Sequence, residues 1–161
     1  SAMIFSKKDS RDLPTKIDRA VFPGLQVGPH NNQIAGIAVA LKEAMSPKFK
    51  SYAKQVIKNA HVLAVELEKK GWRIVSGGTD SHMVRVDVWR DGKGISGSDA
   101  SDALEKAGII VNKNTIPGET RSPMDPSGIR IGTAAETTRG RKNKDMVKIA
   151  ARIDKILKQH S

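Results

Sequence analysis

Arg130 is the residue with the clearest capacity for binding chemistry, because it stands between Ile129 and Ile131 in a short β-prone run. A guanidinium is a planar donor that binds a carboxylate or a phosphate through two parallel hydrogen bonds. The same residue also fits the solvent-facing position of an alternating strand, which needs no ligand. From the residues alone, both interpretations stay open.

The segment before this strand is predicted to be a long loop, from about residue 112 to residue 128, restrained by prolines at positions 117, 123 and 126. A loop of this length inside a compact domain is more often functional than structural. Asn114 within it is open to two interpretations, a binding group or an ordinary loop asparagine bonded to its own backbone. The four histidines are not paired at metal-ligand spacing, so no metal site is predicted.

The first third of the chain is predicted to contain one helix. Residues 1–20 are polar and unpatterned, and residues 22–29 contain two prolines and two glycines, which predicts irregular structure. Apolar residues at helical spacing then predict a helix over 31–45, with Asn31 or Asn32 as its N-cap.

A second helix is predicted to follow at once. Ser46 is an N-cap residue, and Pro47 suits the first helical position, where a missing N–H costs nothing. Gly71 is predicted to end this helix at the C′ position.

The remaining pattern alternates between short strands and helices. Extended segments are predicted at 73–75, 84–88, 109–111 and 129–131, with a turn at Asp91–Gly92. Helices are predicted from an N-cap at Ser98 to about residue 107, and from 143 to 158. The order α, α, β, β, α, β, β, α predicts an α/β fold, as an α+β two-layer sandwich from about residue 47 onward.

Composition narrows the classes of protein that the chain can belong to. The 161 residues include no cysteine, which excludes a disulfide framework, thiolate zinc sites and a cysteine nucleophile. No apolar run approaches the roughly 20 residues of a membrane span, and no secretory leader opens the chain, so a cytoplasmic protein without membrane contact is expected. The net charge of +11 permits polyanion binding, but solvated helix faces explain most of it, and six aromatic residues argue against nucleic-acid binding.

Four blocks of sequence resemble the serine hydroxymethyltransferase family. They stand in the family's order and spacing, and the similarity runs from about residue 13 to residue 158. The blocks are Lys16–Gly24 (KIDRAVFPG), Ser76–His82 (SGGTDSH), Val111–Thr115 (VNKNT) and Ser127–Thr133 (SGIRIGT).

The resemblance implies a pyridoxal-phosphate-dependent fold-type I transferase that interconverts serine and glycine, with tetrahydrofolate carrying the one-carbon unit. It implies that Arg130 binds the substrate carboxylate. It also implies that Gly28, in the turn Gln26–Pro29, meets the cofactor phosphate of a neighbouring subunit. Folate contacts are implied for four residues: Asn114, Ser122, Pro123 and Met124.

The same resemblance implies that the chain is the C-terminal part of such an enzyme. On this interpretation residues 1–20 are a leading segment that starts with cloning residues, 21–46 are the phosphate turn and a helix of the large domain, and 47–161 are the small C-terminal domain. The Schiff-base lysine belongs to the missing N-terminal part, so no catalytic residue is assigned, and we expect no turnover and no retained cofactor or folate in the chain alone.

Two expectations about partners follow. The intact enzyme would be a homodimer, and the fragment is expected to self-associate through the apolar face of its first helix, which includes Ile34, Ile37 and Leu41. The alternative is a non-catalytic basic module with residual affinity for folate or polyanions, or one that needs a separately encoded partner half.

Overall fold

The computed structural model describes residues 2–8, 11–90 and 92–160, and the chain divides into two compact units, Ser1–Lys50 and Ser51–Ser161. Ser1, the first of the predicted cloning residues, and Asp91, from the predicted turn, lie outside the described residues. The domain boundary that the sequence predicts between residues 46 and 47 stays a prediction.

The described part of the first unit contains two complete helices, an irregular turn and the start of a third helix. Helix α1 (Leu13–Arg19) corrects the prediction that residues 1–20 lack pattern, and it starts where Pro14 suits a first helical turn. A π-helical turn (Ala20–Leu25) follows, interrupted by the extended residue Phe22 at φ −131° and ψ 123°. Helix α2 (Asn31–Ala44) starts after His30 without any side-chain cap, so the predicted cap at Asn31 or Asn32 is wrong.

Helix α3 (Pro47–Lys69) has the ends that its sequence predicts. The backbone N–H of Phe49 donates to Ser46 Oγ at 3.1 Å, which confirms the N-cap. At the other end Gly71 takes a φ of +94°, and its N–H donates to the carbonyl of Glu68. The N–H of Trp72 donates to the carbonyl of Leu67, which completes a Schellman motif.

The second unit is built on a four-stranded antiparallel sheet. Its strands are β1 (Arg73–Ile74), β2 (Met83–Asp87), β5 (Asn112–Asn114) and β6 (Gly128–Gly132), in the order β1-β2-β6-β5; β3 (Trp89–Arg90) and β4 (Lys93–Gly94) form a separate hairpin. The prediction of a strand over 109–111 is wrong, because pairing with β6 begins only at Asn112. Ile110 is 83% exposed.

Three further helices belong to this unit: α4 (Gly97–Lys106), α5 (Ala134–Thr138) and α6 (Asn143–Lys158). The N-cap of α4 is Ser96 rather than Ser98, since Ser96 Oγ accepts from the N–H of Asp99 at 3.1 Å. Gly97 allows this start, because a Cβ there would lie 2.4 Å from the carbonyl oxygen of Gly128. Helix α6 is confirmed, and α5 was not predicted.

The core lies between one face of the sheet and helices α3, α4 and α6. The inward side chains of the two central strands, Val84, Val86, Ile129 and Ile131, are at most 5% exposed. The helices contribute, among others, Leu63 and Leu67 from α3, Leu104 from α4, and Met146, Ile153 and Leu157 from α6. A mixed helix-and-sheet fold with a small antiparallel sheet is thereby confirmed, and the helices leave the other face of the central strands open.

Candidate functional site

Arg130 lies on the open face of the sheet, at the middle of β6. Its neighbours Ile129 and Ile131 are buried in the core, so the alternation of the strand turns the arginine away from the helices. Its Nη2 donates to Oδ1 of Asn112, the residue directly opposite on β5, at 3.2 Å. Among the described residues no carboxylate pairs with Arg130.

A groove of about 340 Å³ borders this arginine. Arg130 and Asn114 line it from the sheet, and the turn that follows β1 lines it from the side. The remaining lining residues are Val75, Ser76, Gly78, Thr79, Asp80, Ser81, Met83 and Arg85. The groove therefore combines guanidinium, hydroxyl and amide donors with one carboxylate, a set suited to a small polar anion.

The turn beside the groove has an unusual backbone. Ser76 takes a φ of +67°, in the left-handed region that costs a non-glycine residue about 1 kcal/mol. Gly77 and Gly78 continue with φ of +67° and +151°. Thr79 Oγ1 closes the turn by donating to the carbonyl of Met83 at 2.7 Å and accepting from the N–H of Ser81 at 3.2 Å. These bonds hold Asp80 and Ser81 at the edge of the groove.

The loop between β5 and β6 is organised by Glu119. Its carboxylate accepts from the N–H and the Oγ–H of Ser127, at 2.9 and 2.6 Å, and from the N–H of Arg121 at 3.0 Å. A longer bond comes from the N–H of Ile116 at 3.4 Å. Partial burial raises the pKa of Glu119, but these hydrogen bonds outweigh it and lower the pKa to about 2. The loop is thus tied together around one ionised carboxylate.

A second contact fixes the middle of the same loop. The guanidinium of Arg121 lies over the indole ring of Trp89, 4.3 Å from the ring centroid, and it pairs with Asp125. A cation held over an indole face is attracted by the negative potential of the ring. The loop is therefore attached to the β3–β4 hairpin as well as to itself.

Of the residues that the resemblance assigns to folate, the structure brings only Asn114 into the groove with Arg130. The Asn114 amide also donates to the carbonyl of Thr115, the local bond that an ordinary loop asparagine makes. Ser122, Pro123 and Met124 lie exposed on the loop, outside the lining of the groove. They are linked to β5 by Lys113 Nζ, which donates to the carbonyl of Met124 at 2.6 Å.

Gly28 belongs to the first unit. It lines a groove of about 520 Å³ together with Phe22, Gln26, Val27 and Pro29, among others. A Cβ built on Gly28 would meet no atom within 4 Å, so the backbone here faces open space. A ligand group can therefore reach the amide of Gly28 without steric hindrance.

Two residues of the site were not singled out from the sequence, Arg85 and Glu119. Arg85 stands between Val84 and Val86 as Arg130 stands between Ile129 and Ile131, and this parallel was a usable signal. Glu119 gives no such signal, because its partners are set by the path of the loop.

The described residues form neither a metal-binding cluster nor a membrane-spanning helix. Within residues 2–8, 11–90 and 92–160, no three side chains of His, Asp or Glu are grouped closely enough to hold a metal ion. Over the same ranges, no helix has the length and apolar character needed to cross a membrane.

Comparison with known proteins gives one consistent result. The sequence model of the family described as serine hydroxymethyltransferase matches residues 2–153. A serine hydroxymethyltransferase of Acidothermus cellulolyticus is 53% identical over 140 residues, which cover 87% of this chain and 32% of the relative. One of Sorangium cellulosum is 48% identical over 155 residues, covering 96% of this chain and 36% of the relative. The chain thus spans about a third of the length of these relatives.

Proposed function

Because the chain belongs to the serine hydroxymethyltransferase family, we propose that Arg130 binds the α-carboxylate of serine or glycine in the assembled enzyme. The observation that carries this proposal is a guanidinium on a central strand, at the edge of a groove, which donates one hydrogen bond to the uncharged side chain of Asn112 and pairs with no described carboxylate. A bidentate carboxylate pair fixes the orientation of an amino acid, which is what a reaction at its α-carbon requires.

The same proposal gives this chain part of a tetrahydrofolate site. Asn114 would offer its amide to the pterin, and the segment Ser122–Met124 would form the edge of the site. Support comes from the bond of Lys113 to the carbonyl of Met124, which couples this segment to the strand that carries Asn114. Support comes also from Glu119, which restrains the loop between them.

Gly28 is proposed to approach the phosphate of pyridoxal phosphate bound by a neighbouring subunit of a homodimer. The open space at Gly28 fits a phosphate group accepting from the backbone amide. When bound, this cofactor supplies an electron sink for chemistry at the α-carbon of the amino acid. The part proposed for this turn is binding of the phosphate.

We further propose that this chain has no turnover by itself and works in the cytoplasm with the other two thirds of the enzyme. Purified chain supplied with pyridoxal phosphate, serine and tetrahydrofolate is expected to form no glycine. Addition of a polypeptide equivalent to the first two thirds of the Acidothermus relative is expected to restore glycine formation. Glycine formed by the chain alone would refute the proposal of inactivity.

The role of Arg130 is tested by binding rather than by turnover. Titration with glycine or serine, followed by NMR chemical shifts, is expected to move the guanidinium signal of Arg130, with a Kd of about 1 mM or weaker. Arg130→Leu should lose at least about tenfold in affinity, the share of one charge-assisted pair. Arg139→Leu is the matched control, because Arg139 is exposed and pairs with Glu136 outside the groove. Equal binding by the parent and Arg130→Leu would remove the carboxylate role.

A further inference from the structure

Arg85 lies directly opposite Arg130 in the register of β2 and β6. The strand neighbours Val84 and Val86 are buried against the helices, so Arg85 points to the same open face as Arg130. Directly opposite residues of an antiparallel pair have Cβ atoms about 4.5–5.5 Å apart. Both arginines line the same groove. Two guanidinium groups therefore share one binding surface.

This placement is unfavourable for the fold when the groove is empty, because like charges directly across a strand pair repel each other. Among the described residues that line the groove, Asp80 is the only acid, and it forms no ion pair with either arginine. Across the described residues, Arg85 has no carboxylate partner at all. The positive charges of Arg85 and Arg130 are thus not neutralised by a described carboxylate. Two uncharged residues at these positions would stabilise the sheet more than the two arginines do.

We propose that the groove binds an amino acid with a second acidic group, whose α-carboxylate pairs with Arg130 and whose side-chain carboxylate or phosphate pairs with Arg85. The proposal rests on the proposed role of Arg130 and names the class of ligand at that same site. Guanidinium binds either acid through two hydrogen bonds, so the chemistry is shared by both. The closeness of the two strands favours a short ligand, with two or three atoms between its acids.

A groove with only Arg130 would hold serine and a short diacid about equally. With both arginines present, the second acid gains its own charge-assisted pair, and it also relieves the repulsion between the guanidinium groups. We therefore expect preference, by about tenfold or more, for the diacid over serine. Arg85 acts here as a residue that determines specificity.

The experiment compares three ligands on the intact 161-residue chain. L-serine, L-aspartate and O-phospho-L-serine are titrated separately, with chemical shifts of backbone and guanidinium groups as the readout. Aspartate and phosphoserine should each bind more tightly than serine, and the ratio between them identifies the preferred second acid. Arg85→Leu should reduce the affinity for both diacids to about that of the same variant for serine, so that the preference is lost. Arg139→Leu should preserve the full preference.

Thermal unfolding of the unliganded chain supplies a measurement that does not depend on ligand affinity. Arg85→Leu removes the repulsion across the strands, so the midpoint of the unliganded chain should rise by about 1–3 °C. A diacid should raise the midpoint of the parent chain more than that of Arg85→Leu. These shifts also show that the variant is folded.

The outcomes separate this inference from the proposed function. If the parent chain binds all three ligands equally, or if Arg85→Leu keeps the preference for diacids, the inference about Arg85 is wrong, while the role of Arg130 stands. If Arg130→Leu binds serine as well as the parent does, the proposed function fails, and the inference that rests on it fails too.

Discussion

Replacement of Glu119 by glutamine is expected to loosen the loop between β5 and β6. The carboxylate accepts four hydrogen bonds, two on each oxygen, from Ile116, Arg121 and Ser127. Glutamine keeps one acceptor and presents an NH₂ group in place of the other, so two of the four bonds are lost and donors face each other. Each bond contributes about 1 kcal/mol net, partly reduced by solvent screening at this half-buried site.

The free energy of unfolding should therefore fall by about 1–2 kcal/mol, and the midpoint of thermal unfolding by about 2–8 °C. Glu105→Gln is the matched control, since Glu105 is exposed on α4 and makes none of these bonds. Hydrogen exchange supplies the local measurement: the amide of Ser127 should exchange faster in Glu119→Gln and at the parental rate in Glu105→Gln.

The effect should also depend on pH in a defined window. The pKa of Glu119 is about 2 in the folded chain, below its ordinary value of 4.5. Its stabilisation is therefore fully present above about pH 4.5 and is lost as the pH falls towards 2. The difference in stability between the parent and Glu119→Gln should shrink over that range. A difference that stays constant with pH, or two glutamine variants of equal stability, would refute the role given to this carboxylate.

Two further predictions concern packing and buried polar groups. Gly128→Ala should destabilise the chain by about 1–3 kcal/mol, measured by urea titration, because its Cβ would lie 2.6 Å from the side chain of Ile116 and 2.8 Å from a backbone oxygen. Gly132→Ala is the control and should leave the stability unchanged, because its Cβ would meet nothing within 4 Å. Asn59→Ala should lower the free energy of unfolding by about 2–3 kcal/mol, because the fully buried amide donates to Thr137 Oγ1 and to the carbonyl of Arg141. If Asn59→Ala unfolds at the same urea concentration as the parent, the role given to this amide is wrong.

The elements that could be predicted from the sequence are those whose signals are local. Ser46 and Pro47 start α3 and Gly71 ends it through bonds within one or two turns, so residue type was sufficient. Helix α6 has a continuous apolar face that repeats with the helical period, and its bounds were predicted as the structure has them.

The strand β5 shows why other elements could not be predicted. Asn112, Lys113 and Asn114 have no apolar alternation, because this edge strand is held by its ladder to β6 and buries little. The apolar residues just before it, including the exposed Ile110, gave the misleading β-prone signal. Residues 112–114 form a strand because they pair with β6, which lies far away in sequence, and the local pattern of residues does not reveal that pairing.

The site divides in the same way. Arg130 was identifiable because an arginine between two isoleucines is conspicuous on a short strand. Its register partner Arg85 required the pairing of β2 with β6, residues that are far apart in sequence. The choice of Ser96 over Ser98 as the cap of α4 required the close approach of Gly97 to Gly128, which only the assembled sheet creates.

The contact of Arg121 with Trp89 gives the molecule a built-in optical reporter. The chain has two tryptophans, Trp72 and Trp89. Trp72 does not take part in this contact, since its indole N–H donates to Asp154 on α6. The emission of Trp89 is expected to change when the guanidinium of Arg121 leaves the face of its ring. With Trp72 replaced by phenylalanine, fluorescence can follow the opening of the loop in real time, without any attached dye.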